Sequence, residues 1–312
     1  MRSGTLLVLW LAACASSTPD DGPAPAIDPT AFGPDGTAFE TTELSVEART
    51  DGFPTRMPTL VVGPRNALED PPVVVFAHGA GWKPEDYFDT LAHLASYGMI
   101  VVAPRFDQVG STRDDGGLVR DLQLVLRTLR ETPPTIGELT GDVDVFGVAG
   151  HGRGAKQVAV VAARDERVAA ALLLGLDDAP SDTDPLSAVA VLGDVAVPVA
   201  QIGYGLGIYG EPACIDAGAD YTSAAASLPK GGLTFELPTA GQFDVVDTCF
   251  EAGGTVCSAC APGEEPLAAR RLTRSVAVAF LGLYLQGSEG YRTWLDSDGP
   301  AGLVEDLVVT RQ

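Results

Sequence analysis

From Thr42 to Gln286 the chain alternates short apolar runs with longer stretches whose apolar residues recur every three or four positions. Runs of the first kind predict buried strands, and stretches of the second predict amphipathic helices. Thr42–Arg49 and Thr59–Val62 read as two leading strands, and Pro72–Ala77 as a third. Tyr87–Tyr97 reads as a helix stopped by Gly98, where a glycine can take the left-handed conformation that ends a helix. A strand at Met99–Ala103 follows. Next comes a helix over Gly117–Glu131, with Leu118, Leu122, Val125 and Leu129 at helical spacing. Asp142–Ala149 reads as a buried strand, Ala155–Ala163 as a helix of small residues without a breaker, and Val168–Leu174 as the next strand. Val197–Gly203 and Thr234–Pro238 complete the predicted sheet, and Leu267–Gln286 is a long closing helix. The alternation predicts an α/β fold, a mostly parallel central sheet flanked by helices.

The N-terminus breaks this pattern. Arg2 precedes the short apolar run Leu6-Leu-Val-Leu-Trp-Leu11, and Leu11-Ala12-Ala13-Cys14 follows. The run is far short of the ~20 residues that span a bilayer. It resembles a bacterial lipoprotein signal peptide, which implies cleavage after Ala13 and lipidation of Cys14; an ordinary secretory cleavage site is the rival. Ala15 and Ser16, rather than an aspartate, follow Cys14. In such lipoproteins that pattern implies passage to the outer membrane, with several acyl chains giving lasting attachment. The expected organisation is a signal peptide over residues 1–13, a flexible tether rich in Pro, Asp, Ser and Gly over 14–37, and one domain over 38–312.

Charge narrows the partners. Forty-two acidic against 20 basic residues leave a net charge of −22. Nucleic-acid binding rests on neutralising phosphates with Lys and Arg, so this balance excludes it, and membrane contact is expected through the lipid anchor alone. Four cysteines remain in the domain: Cys214, Cys249, Cys257 and Cys260. An even number in an exported chain predicts two disulfides of undetermined pairing. Cys257 and Cys260 also have zinc-ligand spacing, but no histidine or second C-x-x-C accompanies them. No metal or cofactor is expected.

The segment Gly150-His151-Gly152-Arg153-Gly154 stands between a predicted strand and a predicted helix. Its frame is G-x-S-x-G, the turn that lifts a nucleophilic serine above a sheet, with glycine in the serine's place. Three further blocks accompany it: Val75-Phe-Ala-His-Gly-Ala-Gly81, Gly175-Leu-Asp-Asp178, and Pro198 through Ala240-Gly-Gln-Phe-Asp-Val-Val-Asp247 to the cysteine-bearing loop. Together, over roughly residues 40–290, they resemble the chlorophyllase-like branch of the α/β hydrolases, related to bacterial polyester and lipase-like esterases. The resemblance implies an α/β-hydrolase fold. It places the nucleophile position on Gly152, the acid on Asp177 and the general base on Gln242. It also assigns oxyanion-binding N–H groups to Ala80 and Arg153, and packing or turn-stabilising roles to His151 and His78. Trp82, Tyr204 and Tyr209 would rim the substrate cleft, either binding an apolar ligand or covering its floor.

Glycine supplies no nucleophile, and a glutamine amide has no pKa suited to accepting the proton. Loss of a serine or histidine from such a unit costs about 10⁶ in rate. Backbone oxyanion donors survive side-chain substitution. The first reading is a pseudo-hydrolase binding a small apolar or ester-like ligand, or a protein, at the cell envelope. The alternatives are an active carboxylic-ester hydrolase with a displaced nucleophile, for which Ser111 is the candidate, and a purely structural envelope protein.

Overall fold

The computed structural model describes residues 27–46, 55–66, 70–106, 115–179, 185–252 and 257–312. Cys14, the signal peptide, the first part of the tether, Ser111 and the end of the first expected strand lie outside them. Nine strands form one sheet: β1 (Ala38–Val46), β2 (Thr55–Gly63), β3 (Pro72–Ala77), β4 (Ile100–Pro104), β7 (Asp142–His151), β8 (Val168–Leu174), β9 (Val199–Tyr204), β10 (Leu233–Leu237) and β11 (Val308–Arg311). Two short strands, β5 (Thr135–Ile136) and β6 (Leu139–Thr140), make a separate hairpin. The spatial order is β1-β2-β4-β3-β7-β8-β9-β10-β11. From β4 to β10 neighbouring strands run parallel, and antiparallel pairing is confined to the two ends.

The apolar runs of the central strands are buried on both faces because helices cover both. One core packs α1 (Phe88–Ala95), α8 (Pro266–Gln286) and α9 (Glu289–Asp296) against one face. The other takes α2 (Asp115–Glu131), α3 (Arg153–Arg164) and the short α4 (Val189–Leu192) and α6 (Tyr221–Ala225). Two more short helices, α5 (Gly205–Tyr209) and α7 (Asp247–Ala252), follow β9 and precede the cysteine-bearing loop. No helix among the described residues is long and apolar enough to cross a membrane.

The strand–helix alternation of the sheet follows the sequence reading closely, but that reading lacked the β5–β6 hairpin and helices α4–α7 and α9, and it differs in three further respects. Strand β7 is fully buried only from Phe146 onward, its first four residues being exposed or half-buried. The sheet does not end at Pro238: β11 adds an antiparallel edge whose side chains are all exposed, so no buried apolar face marks it in sequence. The segment expected to be flexible up to Thr37 is held from Ile27 onward. Ile27 N–H donates to the Gly290 oxygen, the Pro29 oxygen bonds the His93 ring, and the Gly33 N–H donates to Ser96 Oγ. Backbone bonding to α1 and α9, rather than composition, decides that boundary.

All four domain cysteines are used in disulfides, Cys214–Cys260 and Cys249–Cys257, so the two members of the C-x-x-C pair belong to different bonds.

The chain leaves β3 for β4 on one side and later returns to place β7 on the other. The carboxyl ends of β3 and β7 therefore meet at a switch point, where crevices form in open α/β sheets. Glycine makes the junction possible. A Cβ on Gly154 would lie 2.1 Å from the Ala77 oxygen, and one on Gly150 would lie 2.6 Å from the Gly154 carbonyl carbon. Neither neighbour is a flexible side chain, so Gly154→Ala is expected to lower stability by at least about 2 kcal/mol in urea unfolding, in line with overpacking costs. Little or no loss would mean that α3 slides away from β3 freely.

Candidate functional site

The site is built from three turns at the carboxyl ends of the strands. The first follows β7. Gly152 caps α3 at φ +56° and ψ −118°, a conformation that L side chains rarely adopt. Its N–H donates to the Leu174 oxygen at 2.8 Å, and its oxygen accepts the Asp177 N–H at 3.2 Å. The elbow is thus pinned to the end of β8 and to the turn beyond it. Unlike its flanking glycines, Gly152 has room. The one neighbour within 4 Å of a Cβ built there is Gln242 Nε2, at 3.7 Å.

The second turn carries Gln242, which is 3% exposed. Its amide fills a slot walled by glycines. A Cβ on Gly175 would stand 2.6 Å from Gln242 Oε1, and one on Gly207 would stand 3.1 Å away. Gln242 Nε2 donates to the Gly175 oxygen at 2.6 Å. The structure therefore brings Gly152 and Gln242 together.

Asp177 is not joined to them by a side-chain bond. Its carboxylate accepts the Ala179 N–H at 3.2 Å, and no hydrogen bond links it to Gln242. Burial raises its pKa, against the opposing pull of the Ala179 bond and of Arg153 and Lys156. Neighbouring Asp178 is wholly committed, accepting from Ser187 Oγ and the N–H groups of Ala188 and Val189 at the start of α4.

The third turn follows β3. His78 bonds the Gly79 oxygen through Nδ1 and accepts the Phe106 N–H at Nε2, which stabilises the turn. His151 is buried, and both its ring nitrogens are used. Nε2–H donates to the Gln242 main-chain oxygen at 2.9 Å, and Nδ1 accepts from the Tyr87 hydroxyl at 2.8 Å. The Tyr87 oxygen accepts the Gly79 N–H at 3.2 Å. His151 thus clamps the β3 turn to the Gln242 loop, and burial lowers its pKa to about 4. Arg153 is the first residue of α3, where an N–H has no intrahelical acceptor, and Ala80 lies exposed in the β3 turn.

The aromatic residues divide. Tyr204 is fully buried, with its hydroxyl 3.1 Å from Thr273 Oγ1, and belongs to the floor. Trp82 packs edge-on against Phe243 at 5.3 Å, and Tyr209 is exposed.

One cluster escaped the sequence reading. The fully buried Lys156 extends its ammonium to Asp115 Oδ2 at 2.7 Å and to the Ala179 oxygen at 2.9 Å, with Asp178 Oδ1 at 3.8 Å. Asp115 also holds Arg153 Nε at 2.6 Å. These pairs lock the elbow helix to α2 and to the Asp177 turn. The available signal was the single lysine of a helix whose remaining interior residues are small or apolar apart from Gln157.

Lys156→Met leaves Asp115 buried with one partner, so a loss of about 3 kcal/mol is expected in denaturant unfolding. His151 is expected to remain neutral with its proton on Nε2 down to about pH 4, read by ¹⁵N chemical shifts of the ring. Titration near 6.5 would mean that the clamp is open in solution.

Known proteins resemble this chain along nearly its whole length. The family model described as Chlorophyllase matches residues 31–300. Chlorophyllase type 0 of Chenopodium album is 25% identical over 271 residues, covering 80% of this chain and 77% of that protein. Chlorophyllase-2 of Arabidopsis thaliana is 24% identical over 241 residues, covering 70% and 75%. Among solved structures, a ferulic acid esterase from Streptomyces cinnamoneus superposes with a TM-score of 0.63 over 93% of this chain and 98% of that one. At 20% identity, that likeness speaks to fold alone. With its sheet order, its strand–turn–helix elbow and a match covering most of its length, the chain belongs to the chlorophyllase family and has an α/β-hydrolase fold.

Proposed function

We propose that this protein is a non-hydrolytic member of the chlorophyllase family, a pseudo-hydrolase that binds a small apolar or ester-like ligand, or a protein, at the site between the three turns. The supporting observation is the pairing at the elbow: Gly152 offers no nucleophilic atom, and the side chain nearest to its Cβ position is the Gln242 amide. A serine hydroxyl attacks only when a neighbouring base takes its proton, and this pair provides neither partner. The third member is uncoupled as well, since Asp177 bonds to Ala179 rather than to Gln242. What persists is the scaffold, including the backbone turns that hold Ala80 and Arg153. In hydrolases, oxyanion donors and binding alone leave roughly 10³–10⁴ over the uncatalysed rate. The ester-like ligand class follows the structural neighbour, a ferulic acid esterase. Attachment to the outer membrane through lipidated Cys14 is part of the same proposal, and its test is the mass of the N-terminal peptide of the mature protein.

A fluorophosphonate serine-hydrolase probe is expected to leave the mature protein unlabelled, as read by mass spectrometry. A stoichiometric adduct on one serine, with ester turnover that falls when that serine is replaced, would overturn the proposal in favour of a displaced nucleophile. The double change Gly152→Ser with Gln242→His is expected to restore measurable esterase activity, because a Cβ at residue 152 meets no close neighbour. The positive φ at Gly152 adds a cost of roughly 1–3 kcal/mol in stability.

A further inference from the structure

Phe243 has two environments. Its ring packs against Trp82 at 5.3 Å and against His151 at 6.5 Å, on the elbow side of the loop that carries Gln242. The same residue lines a cavity of about 240 Å³ whose lining includes neither Gly152 nor Gln242. Ala261, Pro262, Pro266 and the Cys249–Cys257 disulfide are its other described walls, and Asp244 is the one ionisable residue among the described lining.

The Asp244 side of the cavity is held by bonds within the protein. Asp244 accepts the Gly241 N–H at 2.8 Å and the Gly263 N–H at 3.2 Å, which closes the loop on itself. A Cβ on Gly241 would lie 2.6 Å from the Ala261 oxygen, so these segments touch backbone to backbone. Ala261 donates its N–H to the Pro212 oxygen, and the adjacent Cys260 is bonded to Cys214, which ties this side to the segment after α5. Ligand sites are commonly preformed in this way, apolar with few polar groups.

Size and chemistry select the occupant. An apolar cavity of about 150 Å³ holds one benzene, and pockets for drug-sized ligands start near 300 Å³. The value of about 240 Å³ lies between them, enough for one ring. An aromatic ring, two prolines and two sulfurs favour an aromatic face. Each Asp244 oxygen retains a lone pair beyond its bond to backbone, so the polar edge of the site accepts a hydrogen bond. Burial holds the Asp244 carboxyl above its ordinary pKa, against the lowering bonds from Gly241 and Gly263 and the charge of Arg270.

We infer that this cavity binds a single neutral aromatic ring bearing one O–H or N–H donor, with the ring between Phe243 and the two prolines and the donor on Asp244. The site is separate from the elbow and does not depend on whether the elbow is catalytic. Because Phe243 follows Gln242 directly and touches His151, an occupant presses on the loop that closes the elbow.

The test uses phenol and anisole, rings of similar size with and without a donor. The full mature protein with its disulfides intact is titrated by calorimetry. Phenol is expected to bind with a Kd on the order of 1 mM, as its few atoms allow, and anisole at least tenfold more weakly. Pro266→Trp projects an indole into the cavity from the first turn of α8 and is expected to weaken phenol at least tenfold. Intermolecular NOEs from phenol to the rings of Phe243 and Pro262 give a second readout that needs no variant. Equal affinity for the two probes, binding without those NOEs, or no saturable binding up to about 10 mM would overturn the inference.

Discussion

The contact of Gly154 with the Ala77 carbonyl is the constraint on which the rest of the site depends. Helix α3 crosses the end of β3 at a separation where even a methyl group would meet backbone at 2.1 Å. That closeness sets the elbow over the switch point of the sheet and brings the β3 turn to its edge. His151 can then bridge Tyr87 and the Gln242 loop, and the Gln242 amide can settle between Gly175 and Gly207. Flanking glycines are thus required by packing, whereas a Cβ at Gly152 would meet only the Gln242 amide, at ordinary contact distance. Close packing explains the small residues around the elbow, whereas at its centre the positive φ, and no close neighbour, favours glycine.

Charge holds the turns where hydrophobic burial cannot reach. Lys156 and Asp115, both fully buried, join the elbow helix, α2 and the Asp177 turn. A second knot forms where Arg270 of α8 meets Asp247 and Asp89, while Asp247 also accepts the Asp89 N–H. Burial there carries the Asp247 pKa up to about 6 despite Arg270 and the nearby Arg274. Pairs of this kind contribute little net stability compared with apolar residues of equal volume, yet removing one partner is costly. They act as positional locks on loops whose cores are thin, and the two disulfides do the same for the segment from Cys214 to Cys260.

The scaffold and the chemistry of this fold are separable for a physical reason. Turns, oxyanion donors and sheet order are backbone properties, maintained by glycine placement and buried contacts. Nucleophile and base are two side chains that contribute to turnover rather than to folding. A chain can therefore keep the fold of its family while replacing both, and the family name leaves its chemistry open.

The sequence alone determined the α/β alternation, because burial on one or both faces imposes periods of 2 and 3.6 on apolar residues. Pro72–Ala77 and Val168–Leu174 are bounded as the apolar runs suggest. The glycine-framed elbow was legible for the same kind of reason, since a close strand–helix crossing leaves few residue choices. Tertiary structure decided what lacks a local signature. It chose between three cysteine pairings, drew Ile27 to Thr37 onto the domain, and added the exposed edge strand β11. It also matched Lys156 with Asp115 and set the Gln242 amide beside Gly152 while leaving Asp177 with Ala179. Each of these depends on residues distant in sequence meeting at one point, and a local pattern cannot encode such a meeting.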